Sequence, residues 1–456
     1  MDKSQITKRV NDHRAYFASG KTRDLSFRVD KLRSLRKAIV ENEQAIFDAL
    51  KADLNKPSFE AYGGDLAIVV NEIEYAMKYL SCWSKPKKVR TPFAYFPSRS
   101  YTLAEPYGVT LIVGPWNFPV QLMLVPLVGA IAAGNCALLK PSIAALRISH
   151  LLTKIIGSIF DPSFVSIVEG AAETAQLLLE ERFDHIFFTG GPSVGRLVMT
   201  AAAKHLTPIT LELGGKNPCI VDADTHLDYT ARRIAWGKFF NAGQSCVAVD
   251  YLLVQKRVKQ MLIDKMVHCI YRFYGSDPLQ SPDFCRIIDD AHFTRLAGLL
   301  GNGTIVTGGR TERASRYIAP TIIDGILGHE PIMQEEIFGP LLPVIEYDDL
   351  SQAISFVNNR PKPLALYFFS RNKSLQNRVL RETAAGGGCI NDTVIHETTS
   401  LPFGGAGPSG FGKYHGKASF DTFSHERSIM KSGFLLDIPL RYPPYKNHLK
   451  WLRKFF

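Results

Sequence analysis

A chain of 456 residues, 46% hydrophobic and 21% charged, is too long for one core and too apolar for disorder, so two large globular domains are expected. The net charge of +11 raises nucleic-acid binding, but the basic residues are dispersed apart from KPKKVR (85–90) and the tail YKNHLKWLRKFF (445–456), and no nucleic-acid module is visible. Seven cysteines, at 82, 136, 219, 246, 269, 285 and 389, show no CxxC spacing, which excludes a zinc ribbon or disulfide framework and fits a reducing cytoplasm, with no metal site expected.

The opening MDKSQITKRVNDHRAYF is polar and lacks a signal-peptide core. Residues 3–84 read as mainly helical, with apolar positions recurring at helical spacing in FRVDKLRSLRKAIVENEQAIFDALKADL. A basic, proline-containing connector follows at 85–98. The longest uncharged run, Pro106 to Leu139, is long enough to cross a bilayer. However, Gly114, Pro115, Asn117, Pro119, Pro126, Gly134 and Asn135 cut it into strand, turn, buried helix, turn and strand. Beyond it the strand candidates FVSIVEG, FDHIFFTG and PITLELGG alternate with helical segments of 10–16 residues, the pattern of a parallel α/β sheet. A second α/β region is expected from about 213 to 400, with NPCIVDAD, YLLVQ, TIVTGG, LLPVIEY and LALYFFS as strands. After CINDT comes a glycine-rich loop, PFGGAGPSGFGKYHG, then a last strand and the tail.

Five short stretches carry chemistry or imitate it. Gly190, Gly191 and Gly195 follow the strand HIFFTG; such a turn either serves packing or lets backbone N–H groups approach a phosphate. In PWNFP, Asn117 is a turn former or a fixed amide aimed at an oxyanion. Glu212 in ELGGKNP is a capping carboxylate or a general base. In FFNAGQSCVAVD, Cys246 is a small buried hydrophobe or a nucleophile, and nothing local decides between them. Around the tail, Leu449, Leu452 and Phe455 recur every three residues among Lys450, Trp451, Arg453 and Lys454, which describes a short basic amphipathic helix: one that packs on its own subunit or lies on a membrane surface.

Taken in order, PWNFP, FTGG, ELGGK, NAGQSC, EEIFGP (335–340) and PFGGAGPSGFGKYHG (402–416) resemble the aldehyde dehydrogenase superfamily along nearly the whole chain. The short N-terminus and SFDTFSHERS (419–428) look most like its class 3, or fatty-aldehyde, branch. The resemblance implies an α/β aldehyde dehydrogenase fold, with a Rossmann-like parallel-sheet domain for NAD(P) (1–84 and 106–211) and an α/β catalytic domain (212–400). A bridging element (85–105 and 425–440) would oligomerise the chain, and 441–456 would form the basic tail. By similarity Cys246 is the nucleophile, Asn117 the oxyanion-hole amide and Glu212 the base that activates water. Glu336 matches the residue that holds the nicotinamide ribose, and Phe338 the ring beside it. Trp116, Lys140, Gly190 and Gly191 match cofactor contacts, although position 191 is often serine in relatives.

Ile143 stands where many NAD-preferring relatives carry a glutamate that repels a 2′-phosphate. Arg147, four residues on, either reaches a phosphate or lines a helix; NADP is expected to be accepted alongside NAD or preferred to it. The substrate is expected to be a medium- or long-chain aliphatic or an aromatic aldehyde, received in an apolar pocket to which YFASG (16–20), Trp116 and the phenylalanine-rich flanks contribute. The resemblance also implies a homodimer, while the scattered cysteines point to the cytoplasm and the broken uncharged run to no transmembrane span. Two alternatives are an acylating enzyme that passes the thioester to coenzyme A and an inert relative. The first typically lacks the base and the second should have lost one of Cys246, Asn117 and Glu212, yet all three are present.

Overall fold

A computed structural model describes every residue except 438, 446, 447 and 456. The bridging and tail segments expected from sequence therefore include positions (438, 446, 447 and 456) that lie outside the described residues, as do the side chains of 440, 454 and 455.

A six-stranded sheet forms the first body. Its order is Gly410–Phe411, Ile209–Leu213, His185–Gly190, Val109–Val113, Cys136–Lys140, Val165–Ile167. All neighbours are parallel except the short strand Gly410–Phe411, which runs antiparallel to Ile209–Leu213. The central strands are buried except at the carboxyl ends of two of them, Val113 and Gly190, as continuous apolar runs covered by helices on both faces must be. The uncharged run resolves into the strand Val109–Val113, the helix Gln121–Ala133 and the strand Cys136–Lys140. Every residue of that helix is buried, and it ends on Gly134 in the left-handed conformation. No helix among the described residues is long and apolar enough to cross a membrane.

The chain lays Val109–Val113, Cys136–Lys140 and Val165–Ile167 outward in one direction. It then returns to place His185–Gly190 and Ile209–Leu213 on the other side of the first strand. The order therefore reverses between Val109–Val113 and His185–Gly190. In open α/β sheets the crevice beyond the carboxyl ends of such strands receives the ligand. The loops leaving these two strands are PWNFP and the Gly190–Gly191 turn.

A seven-stranded sheet forms the second body, in the order Thr304–Thr307, Thr321–Asp324, Leu341–Tyr347, Tyr251–Gln255, Pro218–Val221, Ala365–Phe369, Gly387–Ile390. It is parallel except at its first pair. Thr321–Asp324 has no counterpart among the strands expected from sequence. A third, antiparallel sheet joins Lys87–Val89, Arg99–Pro106 and Ser424–Lys431. Segments from opposite ends of the chain thus meet in it. The boundary expected between 211 and 212 falls inside the strand Ile209–Leu213 of the first sheet, whose edge strand, Gly410–Phe411, comes from the glycine-rich loop. The tail helix spans His448–Phe455 and packs on the turn Pro439–Arg441, with Leu449 and Leu452 about half exposed.

Candidate active site

Asn117 sits just past the end of the strand Val109–Val113, with 2% of its surface exposed. Its turn is fixed from beneath by a buried ion pair. Lys56 Nζ lies 2.8 Å from Asp65 Oδ2 and donates at 2.8 Å to the Asn117 carbonyl. Asp65 Oδ1 in turn accepts from the backbone N–H groups of Val120 and Gln121. The Asn117 side chain donates once, to the Gln244 carbonyl at 3.1 Å. One amide proton therefore remains for another acceptor.

Cys246 follows an unusual backbone. Asn241 and Ala242 both adopt left-handed conformations (φ 52°), and Gly243 continues them at φ 73°. A Cβ at Gly243 would fall 2.3 Å from the Gly339 carbonyl, so only glycine fits. Two consecutive left-handed non-glycine residues cost on the order of 1–3 kcal/mol each and persist only where the surroundings over-determine them. Those surroundings are visible. The Asn241 N–H donates to Glu60 Oε2 at 2.8 Å. Gln244 donates to the Asn241 and Arg286 carbonyls and accepts from the Ile288 N–H. Asn217 Nδ2 donates to the carbonyls of Cys246 (2.7 Å) and Ala248 (3.0 Å), and its Oδ1 accepts from Ala365 N–H. Tyr367 donates to the Val247 carbonyl at 2.6 Å.

Glu212 is the fourth residue of Ile209–Leu213, in register with Thr189 on one side and Gly410 on the other. It is 3% exposed, and neither carboxylate oxygen has a hydrogen-bond partner among the described residues. Burial, reinforced by the charge of Glu397, pushes its pKa well above the usual carboxylate range. Burial, followed by the charges of Glu397, Glu336 and Glu212, likewise pushes the Cys246 thiol up. At rest Cys246 therefore holds its proton and needs a base to remove it.

Asn117, Glu212, Cys246 and Glu336 line one cavity of about 190 Å³, walled by Trp116 and Phe338, whose rings meet edge-on at 5.4 Å. Gly190, Gly191 and Gly214 border the same cavity. The Glu336 carboxylate rests against Gly214, where a Cβ would come within 2.0 Å of Oε2. The Gly215 N–H bonds to this carboxylate, while Oε1 is buried and unpartnered. Burial, with the nearby charge of Asp250, raises the Glu336 pKa to about 8. Asp250 and Lys216 hold this segment in place: Ile337 N–H donates to Asp250, and Lys216 bonds Asp250 and the Ile332 and Glu335 carbonyls. Gly191 precedes the helix Pro192–Ala203, whose first turn has no side-chain cap, so its N–H groups face the cavity end of the strand unclaimed by a cap.

Lys140 is buried at the end of Cys136–Lys140 and donates to the Pro141 carbonyl at 2.8 Å. Beyond it lies a second cavity of about 300 Å³, bordered by Ile143, Leu146, His150 and Glu169. Arg147 is exposed, and its backbone N–H donates to Asp53, whose carboxyl also faces the Arg147 charge. Arg147 is not among the residues that border that cavity, although Leu146, Ser149 and His150 of the same helix are. The YFASG stretch is likewise elsewhere: Tyr16 stacks on Phe164 at 5.6 Å, in the core beside the first sheet. Its alternation of aromatic and small residues serves helix packing, not the site. Lys56, Glu60, Asn217 and Gln244 went unrecognised in the sequence, since each is a lone polar residue whose partner lies far along the chain.

The fold and this cavity define a dehydrogenase acting at a carbonyl, and residues 1–429 match the model of the aldehyde dehydrogenase family. The chain belongs to that family. It is 45% identical over 454 residues to 4,4'-diaponeurosporen-aldehyde dehydrogenase of Staphylococcus aureus (strain NCTC 8325 / PS 47), covering 99% of each chain. It is 47% identical to human aldehyde dehydrogenase family 3 member B1, over 94% of this chain and 93% of that one. The solved substrate-bound state of Staphylococcus aureus AldH superposes with a TM-score of 0.97 at 44% identity, covering 99% of both chains. The protein is an oxidoreductase that converts aldehydes to carboxylic acids with NAD or NADP.

Proposed function

We propose that Cys246 is the nucleophile, Asn117 the side-chain arm of the oxyanion hole, and Glu212 the general base of a hydrolytic aldehyde dehydrogenase. The observation that carries this reading is their convergence on one cavity, with Glu212 left free of any hydrogen bond. A carboxylate used only for capping would be bonded; one kept free and buried is a stronger base.

The residues around the cavity fit a nicotinamide cofactor. Glu336 offers an unpartnered oxygen to a ribose hydroxyl, Phe338 and Trp116 offer aromatic walls, and the uncapped helix after Gly190 and Gly191 suits a pyrophosphate. Lys140, bonded to the carbonyl of Pro141 at the border of the second cavity, is assigned to the other ribose. When bound, NAD or NADP accepts the hydrogen and electron pair lost from the aldehyde carbon.

Glu212 takes the Cys246 proton, and the thiolate attacks the aldehyde carbon to form a thiohemiacetal. The oxygen that gains charge is met by the spare Asn117 amide proton and the Cys246 N–H. Oxidation leaves a thioester on Cys246. Once Glu212 has passed that first proton on to bulk solvent, it removes a proton from a water, whose oxygen attacks the thioester carbon, and the Cys246 thiolate leaves with release of the acid. The free carboxylate of Glu212 favours water over coenzyme A as acceptor. Glu212→Gln is expected to give one burst of reduced cofactor followed by slow turnover, and Cys246→Ser none; steady turnover by Cys246→Ser would refute the assignment.

We assign long apolar or aromatic aldehydes as the substrate class. Trp236 (36% exposed), Phe240 and Phe118 form an aromatic file from the surface to the residue beside Asn117, with ring separations of 5.5 and 5.9 Å. The Staphylococcus aureus relative is named for one particular aldehyde, 4,4'-diaponeurosporen-aldehyde. A panel of aldehydes should show kcat/KM rising with chain length, and a preference for short polar aldehydes would overturn the assignment. Ile143 places no carboxylate in the second cavity, and Glu169, which is there, is paired with His150 at 2.7 Å. NADP is therefore accepted alongside NAD; a preference for NAD of about tenfold or more in kcat/KM would refute this. The exposed apolar side chains Val89, Phe96 and Met430 on or beside the third sheet support a homodimer formed there, to be checked by light scattering. Seven free cysteines accord with a reducing cytoplasm.

A further inference from the structure

The two arms of the oxyanion hole come from different bodies of the molecule. Asn117 follows the strand Val109–Val113 of the six-stranded sheet, whereas Cys246 lies between the helix Leu227–Phe239 and the strand Tyr251–Gln255 of the seven-stranded sheet. An oxygen held between two donors is stabilised only while both stand at about 2.7–3.1 Å from it, so the spacing of the arms has to be fixed. The residue that joins them takes no part in the mechanism above. Asn241 is fully buried, and its side-chain Nδ2 donates to the Asn117 carbonyl and to the Gln244 carbonyl, each at 3.1 Å.

Both acceptors are shared. The Asn117 carbonyl also receives Lys56 Nζ, and the Gln244 carbonyl also receives the Asn117 amide, at 3.1 Å. Each oxygen thus uses both its lone pairs. One proton of the Asn241 amide fixes the backbone of Asn117, and the other fixes the carbonyl that orients the Asn117 side chain. Asn241 is kept for these two protons. Its Oδ1 is buried without a hydrogen-bond partner among the described residues, and an inverted amide would set that oxygen against two carbonyl oxygens. Its backbone is held separately. At φ 52° and ψ 32° it is left-handed, which asparagine tolerates better than most residues and glycine best. Its N–H donates to Glu60, and its carbonyl accepts from Gln244 Nε2.

We propose that Asn241 is the positioning residue of the oxyanion hole, its side-chain amide tying the Asn117 turn of one body to the Cys246 loop of the other and thereby setting where the spare Asn117 proton points. The inference rests on the roles given to Asn117 and Cys246 above. Asn241 touches neither substrate nor cofactor in this scheme; it acts through Asn117. Its loss therefore weakens the transition state, in which the oxygen carries charge, more than the binding of the uncharged aldehyde.

The experiment is a double-mutant cycle read by the burst rate of reduced cofactor, with the fastest aldehyde of the panel above. Asn241→Gly keeps the left-handed backbone and its bond to Glu60 and removes only the amide; Asn241→Asp keeps the shape and removes both donors. Each should slow the burst about ten- to a hundredfold, with KM changed less than about threefold. Alkylation of Cys246 by iodoacetamide displaces iodide at a saturated carbon and builds no oxyanion, so its rate should stay within about twofold of wild type. In an Asn117→Ala background, where that arm is already gone, Asn241→Gly should slow the burst by less than about a further threefold. An equal loss in both backgrounds, a parallel loss of alkylation, or a wild-type burst in both Asn241 variants would overturn the proposal. A wild-type burst in Asn117→Ala alone would instead overturn the oxyanion-hole assignment itself, which keeps the two failures apart.

Discussion

Asn217 offers the sharpest test of how the nucleophile is held. It is 1% exposed, and its side chain makes three hydrogen bonds: two donated to the Cys246 and Ala248 carbonyls and one accepted from the Ala365 N–H. Asn217→Ala leaves these three backbone groups without that partner. At about 1 kcal/mol net for each lost bond, and more where no water enters, the loss of stability is about 3 to 5 kcal/mol. The carbonyl it releases is that of Cys246 itself, so the thiol shifts relative to the Asn117 amide. A displacement of about 1 Å at a reacting atom lowers the rate about a hundredfold. Asn217→Asp should be no better, because it keeps the bond to Ala365 but turns a carboxylate toward two carbonyl oxygens. Urea unfolding gives the stability, and a single-turnover burst of reduced cofactor gives the chemical step. A variant that loses the stability yet keeps the wild-type burst rate would refute the claim that Asn217 positions Cys246.

Gly214→Ala forces a Cβ to within 2.0 Å of Glu336 Oε2, and the Kd for NADP, measured by fluorescence titration, should rise at least about tenfold. Gly191→Ser meets open space at φ −72° and ψ 152°, an N-cap conformation; stability should change by no more than about 0.5 kcal/mol and NADP binding should tighten. Ile143→Glu puts a carboxylate into the cavity beside Glu169 and should shift the kcat/KM ratio toward NAD by about tenfold or more. Glu60 is held protonated by burial, against its bonds from Asn241 N–H and Cys285, with its pKa raised to about 7. The unfolded chain releases that proton near about pH 4.3, so unfolding releases a proton in between and stability falls as pH rises from about 4.3 to about 7. In Glu60→Gln that part of the slope should vanish, as a difference in urea midpoints between the two proteins across this range.

Much of the first sheet is legible in the sequence because its strands are continuous apolar runs bounded by glycine and proline, and because helices of regular length separate them. The strand Thr321–Asp324 is not, since four residues between turns carry too little pattern. Nor is the π-helical turn Tyr62–Leu66, where Gly64 lets Phe118 and Phe240 approach. Asn117, Glu212 and Cys246 stand out through the order of their motifs, and the fold brings them to one cavity. The residues that hold them do not stand out. Lys56 acts on Asn117 across 61 positions and Glu60 on Asn241 across 181, and at the level of sequence each is one more polar residue in a helix-rich stretch. Arg147 shows the limit of spacing: four residues after Ile143 it either reaches a phosphate or lines its helix, and its backbone N–H donates to Asp53.

The edge strand Gly410–Phe411 has a consequence for synthesis of the chain. Glu212 pairs with Gly410, and Glu72 bonds the Gly416 N–H. Domains fold as they leave the ribosome, N-terminal first. A nascent chain that already carries Asn117, Glu212 and Cys246 still leaves the edge of Ile209–Leu213 bare and Glu212 open to water. The water-excluded setting that makes Glu212 a strong base is thus completed only when the last segments arrive, so reactivity is withheld until the enzyme is nearly whole.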